Sequence, residues 1–260
     1  MSRNIIQPKI IFLITGSRIS TYSRLRHLGQ ERTWVKDIGK FPNIEYRYLI
    51  SNGNKLVMYK DREEMHTKNL EKSKFSASEL ALEKSDELIF DASLGWESIL
   101  SNLIAGINWA LASSEKFDFI VRTNVSSYWD LNSTVKLIER LPVKGVYAGN
   151  VVKALDCEFV AGDGIIFSRD VASRISKNAH ILDASVIDDV AIGRLAEVIQ
   201  IPFTHIPRRW IRTRFDVNHP DLKLGNTHLF RCKFERVFFN TVFRRDIMLM
   251  KALHEKFKQY

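Results

Sequence analysis

Two adjacent acidic residues, Asp188 and Asp189, are of a type that could perform general-base catalysis. A carboxylate that faces a cleft can accept the proton of an attacking hydroxyl group. Apolar residues follow the pair at helical spacing, at Val190, Ile192 and Leu195, so the pair stands where a helix begins. Negative charge is favourable at a helix N-terminus, so the same carboxylates could serve only as caps. The sequence leaves both interpretations open.

A second group of polar residues lies in 117–129, F-D-F-I-V-R-T-N-V-S-S-Y-W. Its opening apolar run predicts a short buried strand that stops at Arg122. Asn124 and Ser126 then precede a helix that is expected over 130–141. Open α/β sheets place ligand-binding groups where strands end in this way, although an ordinary polar turn would give the same pattern.

Glycines mark two further places where a ligand could approach the backbone. The predicted strand 9–15 ends at Thr15 and runs into Gly16 and Ser17, whose N–H groups could face a phosphate. The apolar segment 158–168 is interrupted by Gly-Asp-Gly, which predicts a bulge or the close approach of a ligand. Neither pattern is a dinucleotide or P-loop fingerprint.

Strands and helices alternate through the first two thirds of the chain, which predicts an α/β fold with a mainly parallel sheet flanked by helices. A single domain over 1–260 is expected, with a core at about 9–206 and a basic, partly helical C-terminal extension over 207–260. Predicted strands lie at 9–15, 43–50, 88–90, 119–121, 146–149 and 158–168, with a hairpin arm at 55–59. Predicted helices lie at 23–35, 96–111, 130–141, from 168, from 188 and at 246–258, and the polar segment 61–74 is a surface helix or loop.

The composition is that of a soluble globular protein, with 260 residues, 45% hydrophobic and 27% charged. Cys157 and Cys232 form neither a metal-binding spacing nor a disulfide framework, so a reduced, cytoplasmic location is expected. No segment approaches the ~18 continuous apolar residues of a membrane span.

The formal net charge is +9, and much of the excess lies after residue 207. Such an excess favours phosphate groups, an anionic membrane surface or nucleic acid, although a solvated basic face would also produce it. Nucleic acid is not expected as a partner, because no recognised reading motif accompanies the charge.

Several segments, in order, resemble the β-1,3-glycosyltransferases of GT-A fold, the group that includes the fringe proteins and has similar members in bacteria and large viruses. The resemblance covers roughly residues 9 to 200, and each segment alone is a weak signal. The matching segments are Arg24-Leu-Arg26 with Thr33-Trp34, Asp86 to Asp91 with Trp96 and Trp109, Phe117 to Trp129, Tyr147-Ala-Gly149, Gly162 to Asp170, and Asp188 to Gly193.

The resemblance implies a GT-A-like, Rossmann-like enzyme that moves a sugar from a nucleotide-diphosphate sugar, with a UDP-sugar as the expected donor, to a hydroxyl of a glycan. By family position Asp189 is the expected base of an inverting transfer, with Asp188 as the alternate. Contact with the nucleotide is expected for Thr15, Gly16, Ser17 and Arg24, and contact with the diphosphate or ribose for Asn124 and Ser126. Asp163 and Gly164 are expected to shape the pocket for the sugar or acceptor. Closure over the phosphates is expected of His228, Arg231 and Lys233.

The sequence departs from the family at the acidic triplet whose outer carboxylates hold Mn²⁺ or Mg²⁺, since Asn124 and Ser126 stand there. A neutral amide and a hydroxyl are poor ligands for a hard dication. Three outcomes are open: a weakly held metal, replacement of the metal by late cationic residues, or a degenerate site in a non-catalytic carbohydrate-binding or partner-binding module. If the protein is an enzyme of surface polysaccharide synthesis, its basic residues would hold it at the anionic inner membrane surface, near a lipid-linked glycan acceptor.

Overall fold

The computed structural model describes residues 7–53, 75–94, 97–154, 156–219, 222, 227–233, 235–238 and 241–258. The hairpin arm expected at 55–59 and the polar segment at 61–74 lie outside these residues. No helix of the described residues is long and apolar enough to cross a membrane.

An eight-stranded sheet with the order β3-β4-β2-β1-β5-β8-β7-β9 is the centre of the fold. Its parallel block, β4-β2-β1-β5, confirms the predicted α/β fold, and antiparallel pairing of β8 with β5 and β7 makes the sheet mixed. The strands are β1 Ile10–Thr15, β2 Ile44–Ser51, β3 Glu79–Glu83, β4 Glu87–Asp91, β5 Phe119–Asn124, β7 Tyr147–Ala154, β8 Cys157–Ser168 and β9 Thr204–His205.

Smaller sheets are formed by the remaining strands. A three-stranded sheet has the order β10-β11-β6, and β12 pairs with β13 in a two-stranded sheet. Their bounds are β6 Ser127–Trp129, β10 Arg209–Trp210, β11 Leu229–Arg231, β12 Glu235–Phe238 and β13 Thr241–Arg244. Because β11 pairs with β6, which follows β5 directly, the C-terminal segment reaches the end of the central sheet.

Helices cover both faces of the sheet. Strand β1 shows why, since Ile10, Phe12 and Ile14 enter one hydrophobic cluster while Ile11 and Leu13 enter another on the opposite face. The helices are α1 Ser20–Arg24, α2 Trp34–Asp37, α3 Glu97–Ala112, α4 Leu131–Ile138, α5 Arg169–Lys177, α6 Asp188–Val198, α7 Arg214–Asn218 and α8 Asp246–Lys258.

The helix predicted over 23–35 is broken into short pieces. A π-helical turn, Leu25–Gly29, and a 3-10 turn, Gln30–Arg32, separate α1 from α2. Thr33, at φ −130° and ψ −123°, is not helical, and its hydroxyl donates to the Gly29 carbonyl at 2.8 Å. The interruption lets the Gln30 side chain turn inward, where its amide donates to the Asn124 and Ser127 carbonyls.

Several strands differ from expectation, since β6 and β9 to β13 were not predicted. Two further differences, at β5 and β3, have a clear structural reason. β5 continues beyond 119–121 through Arg122 and Thr123 to Asn124, because β1 and β8 pair with it on either side. β3 was not predicted, since its residues, E-L-A-L-E, are exposed and favour helices, and it is held at the sheet edge by antiparallel pairing with β4.

Candidate active site

A cleft of about 590 Å³ opens at the carboxyl ends of β1, β2 and β5. This is the edge at which open α/β sheets bind ligands, and the volume suits a small organic ligand. It brings together ten of the residues selected from the sequence, namely Thr15, Gly16, Ser17, Asn124, Ser126, Asp163, Asp188, Asp189, Arg231 and Lys233.

Three selected residues lie elsewhere. Arg24 is exposed at the end of α1 and does not line the cleft. Gly164 faces the core, where an added Cβ would lie 2.2 Å from a methyl group of Leu229. His228 is buried with its ring 5.5 Å from that of Trp129, and burial lowers the pKa of His228 to about 4. A neutral histidine packed on an indole contributes no cation to a phosphate site.

The two segments that form the inner wall of the cleft are β8 and α6. Strand β8 leaves its register with β7 over residues 161–164, since Gly149 pairs with Ile165 while Val151 pairs with Val160. This irregularity, at the predicted Gly-Asp-Gly interruption, turns Gly162 and Asp163 towards the cleft. The same departure from the ladder leaves the Gly162 N–H free to bond a side chain.

Asp188 forms a buried ion pair with Arg122. The Arg122 Nη2 donates to the Asp188 Oδ2 at 2.5 Å, and the two side chains are only 5% and 7% exposed. Burial raises the pKa of Asp188, against the opposing attraction of Arg122. The Arg122 guanidinium lies on Gly162, where an added Cβ would be 2.5 Å from its Nη1. The Asp188 carboxylate is therefore already paired with the Arg122 guanidinium.

Asp189 is half-buried and has a different environment. Its Oδ2 accepts from the Gly162 N–H at 2.9 Å, and its Oδ1 accepts from the Val190 N–H at 3.0 Å. Two backbone donors hold the carboxylate in one orientation on the cleft wall, and among the described residues no cationic side chain is bonded to it. Such a carboxylate is positioned to accept a proton.

Asp163 forms ion pairs with two arginines of the C-terminal segment. The Arg208 Nη1 donates to its Oδ1. The Arg231 Nε lies 3.9 Å from its Oδ2, too far for a hydrogen bond, and this oxygen has no hydrogen-bond partner among the described residues. The carboxylate side chain is 3% exposed, and those of Arg208 and Arg231 are 12% and 14% exposed. Three charged groups from distant parts of the chain are thus fixed in one wall of the cleft.

Asn124 does not offer its oxygen to a metal ion. Its Oδ1 accepts from the Ser126 N–H at 3.2 Å and from the Ser126 hydroxyl at 3.1 Å. The Ser127 hydroxyl lies 3.1 Å from the same oxygen but has a shorter contact, at 2.8 Å, with the Asp163 carbonyl. The Arg231 Nη1 donates to the same oxygen. Among the described residues, no group of three histidines, cysteines or carboxylates could hold a metal. The residues at the expected acidic-triplet positions therefore do not fit Mn²⁺ or Mg²⁺.

Several cleft residues were not selected from the sequence. Arg122 was noted only as the end of a strand, and Arg208 only as one of many late basic residues. Trp210, which is 40% exposed, lines the same cleft, and its ring lies 4.8 Å from the guanidinium carbon of Arg208. The run of basic residues at 208–214 was the sequence signal that could have indicated Arg208, but it does not show which arginine turns towards the cleft.

The sequence matches no protein-family model and no curated protein. Solved structures do show similarity. One is a galactosyltransferase, LgtC, in complex with donor and acceptor sugar analogues, with a TM-score of 0.43 and 9% sequence identity over 96% of this chain and 94% of that chain. At this degree of similarity, neither activity nor substrate passes from that enzyme to this chain.

Proposed function

We propose that this protein is a glycosyltransferase that moves a sugar from a nucleotide-diphosphate sugar, with a UDP-sugar as the expected donor, to a hydroxyl of a glycan acceptor. One observation carries the proposal: the cleft combines a half-buried carboxylate, Asp189, with the guanidinium groups of Arg208 and Arg231. Glycosyl transfer from such a donor needs a base for the acceptor and positive charge for the departing diphosphate.

The backbone links these two functions. The Gly162 N–H bonds Asp189, and the next residue, Asp163, holds the two arginines. A donor with its diphosphate on Arg208 and Arg231 would therefore place its sugar close to the carboxylate of Asp189. The family resemblance implies a single displacement, in which the nucleophile and the leaving group occupy opposite sides of one carbon.

The chemical step has few parts. The acceptor oxygen attacks the anomeric carbon while its proton passes to Asp189. The bond between that carbon and the β-phosphate oxygen breaks, and the diphosphate leaves with the electron pair. The guanidinium groups stabilise the negative charge that develops on it. Inversion at the anomeric carbon follows from one displacement. Asp188 positions Arg122 rather than taking a proton, since it is buried and paired.

The test is a screen of pure protein with sugar nucleotides and glycan acceptors, measuring release of the nucleoside diphosphate. The Asp189→Asn variant should lose at least about a hundredfold in turnover, the usual contribution of a general base, while still binding donor. Val198→Asn, at an exposed position on the same helix, is the matched control and should retain activity. Turnover near the wild-type rate in Asp189→Asn would remove Asp189 as the base. Donor binding without transfer to any acceptor would favour a non-catalytic carbohydrate-binding module.

We further propose that the protein works at an anionic, cytoplasmic membrane surface on a lipid-linked glycan. The support is an exposed apolar and basic surface formed by α7 and α8. Phe215 is 85% exposed and follows Arg214 in α7. Met248, which is 42% exposed, lines a groove of about 400 Å³ together with Arg214, Lys251 and the acidic Glu255. An aromatic ring among basic side chains is suited to an anionic lipid interface. Co-sedimentation with vesicles, with and without anionic lipid, tests this; equal binding to both would oppose it.

A further inference from the structure

We infer that this chain binds the diphosphate of its donor through arginines that Asp163 holds in place, and that it does so without a divalent cation. The inference rests on the proposed function, because it assumes that a diphosphate is part of the ligand. It concerns a different property, namely what neutralises that diphosphate.

The first argument is the hydrogen bonding of Asn124. A carbonyl oxygen has two lone pairs, and the Asn124 Oδ1 already accepts from Ser126 and Arg231. No lone pair remains for coordination. A metal at this oxygen would have to displace hydrogen bonds that also hold the β5–β6 turn.

The second argument is the position of Arg231. Its guanidinium contacts both Asn124 and Asp163, so a permanent positive charge lies between the two oxygen-bearing side chains that could attract a cation. Arg208 occupies the other oxygen of Asp163. A divalent ion placed there would meet two like charges at close range, which is strongly unfavourable in a partly buried site.

The third argument is the capacity that remains for an anion. Two guanidinium groups share one carboxylate, so positive charge is in excess on this wall of the cleft. The side chains of Arg208 and Arg231 line the cleft and are 12% and 14% exposed, so part of each stays accessible to a ligand. Guanidinium groups pair with phosphate oxygens through two parallel hydrogen bonds. Burial also lowers the pKa of Arg231, a cost that a bound anion would relieve.

The experiment is calorimetric titration of the full chain with UDP and with inorganic pyrophosphate, in EDTA and in Mn²⁺. Both probes should bind in EDTA with dissociation constants within about twofold of those in Mn²⁺. Arg231→Gln and Arg208→Gln should each weaken both probes by about tenfold or more, since each removes a charged hydrogen-bonding group. Arg214→Gln, which changes an exposed arginine outside the cleft, should leave both constants unchanged.

A second variant protects the test against misfolding of the arginine variants. Asn124→Asp restores a carboxylate at the triplet position, and that carboxylate should pair with Arg231 rather than create metal-dependent binding. Binding of either probe to the wild type that appears only with Mn²⁺ would overturn the inference. Mn²⁺-dependent binding that appears only in Asn124→Asp would contradict the second argument, the exclusion of a cation by Arg231. Failure of pyrophosphate to bind in both buffers would also overturn the inference.

The outcomes separate the inference from the proposed function. Diphosphate binding in EDTA, without transfer from any sugar nucleotide, would support the inference and contradict the transferase. Sugar transfer that stops in EDTA and returns with Mn²⁺ would support the transferase and contradict the inference.

Discussion

The arginines of the C-terminal segment fall into two groups with opposite environments. Arg208 and Arg231 turn into the cleft beside Asp163, whereas Arg214 is exposed on α7. Arg212 is also exposed, and its guanidinium carbon lies 5.1 Å from the ring centre of Trp210. The residues are of one type and lie close in sequence, yet their consequences differ. Buried arginines act through fixed geometry, while exposed arginines act through a field that salt screens within about 10 Å at 0.1 M ionic strength.

The difference shows that net charge is a poor guide to what a basic segment does. A formal charge of +9 is compatible with phosphate binding, membrane binding or neither. What separates the two groups is the presence of a buried acceptor. An arginine opposite Asp163 is oriented before any ligand arrives, and an arginine on α7 is not.

The largest contrast is expected in stability. Arg122→Met should reduce the free energy of unfolding by about 3–5 kcal/mol, because it leaves the buried Asp188 without its partner. Arg212→Met, at an exposed position, should change it by less than about 0.5 kcal/mol. Urea unfolding followed by circular dichroism measures both. Equal midpoints for the two variants would remove the distinction between a buried, paired arginine and an exposed one. Arg122→Met with Asp188→Leu should recover part of the loss.

A smaller effect is expected from pH, through the residue three positions before Arg231. Because His228 has a folded pKa of about 4 against 6.5 in the unfolded chain, the unfolded chain binds more protons between these values. The contribution of His228 to the free energy of unfolding is therefore fully present above pH 6.5, and it declines by on the order of 3 kcal/mol as the pH falls to 4. Unfolding of wild type and His228→Gln across this range isolates the effect from titrating carboxylates. Parallel pH profiles would contradict it.

The smallest expected effect concerns the exposed surface. Phe215→Ser should weaken binding to anionic vesicles by about tenfold, since part of an apolar ring no longer enters the interface. Arg214→Gln should cost about 1 kcal/mol at low salt and little at high salt. Neither should alter pyrophosphate binding in the cleft. Sedimentation with vesicles at two salt concentrations measures the membrane binding of both variants. A parallel loss of pyrophosphate affinity would show that the exposed surface of α7 and the cleft are not independent.

Local patterns predicted much of the fold. Helix α8 was expected at 246–258 and is observed at Asp246–Lys258, and β1 was expected at 9–15 and begins at Ile10. Both are long periodic runs whose burial follows from their own residues. The interruption at 162–164 was also readable, because two glycines within an apolar strand rarely continue its pairing.

Contacts between distant segments were not predictable in the same way. Nothing near Arg122 in sequence indicates Asp188 as its partner, and nothing in 208–214 indicates that Arg208 reaches Asp163. The expectations for Gly164 and His228 assumed that neighbours in sequence face the same way. Alternation along a strand turned Gly164 inward, and packing on Trp129 made His228 part of the core. The roles of Asp188 and Asp189 stay predictions until variants are measured.

The pairing of Asp163 with Arg208 and Arg231 has a consequence for the order in which the site is assembled. Residues before 207 supply Arg122 and the three carboxylates of the cleft, whereas Arg208, Arg231 and Lys233 come from the last part of the chain. A nascent chain that has not yet added them would present a cleft of net negative charge, which repels phosphate. Under the proposed function, donor binding would therefore require the last part of the chain as well as the residues that build the central sheet.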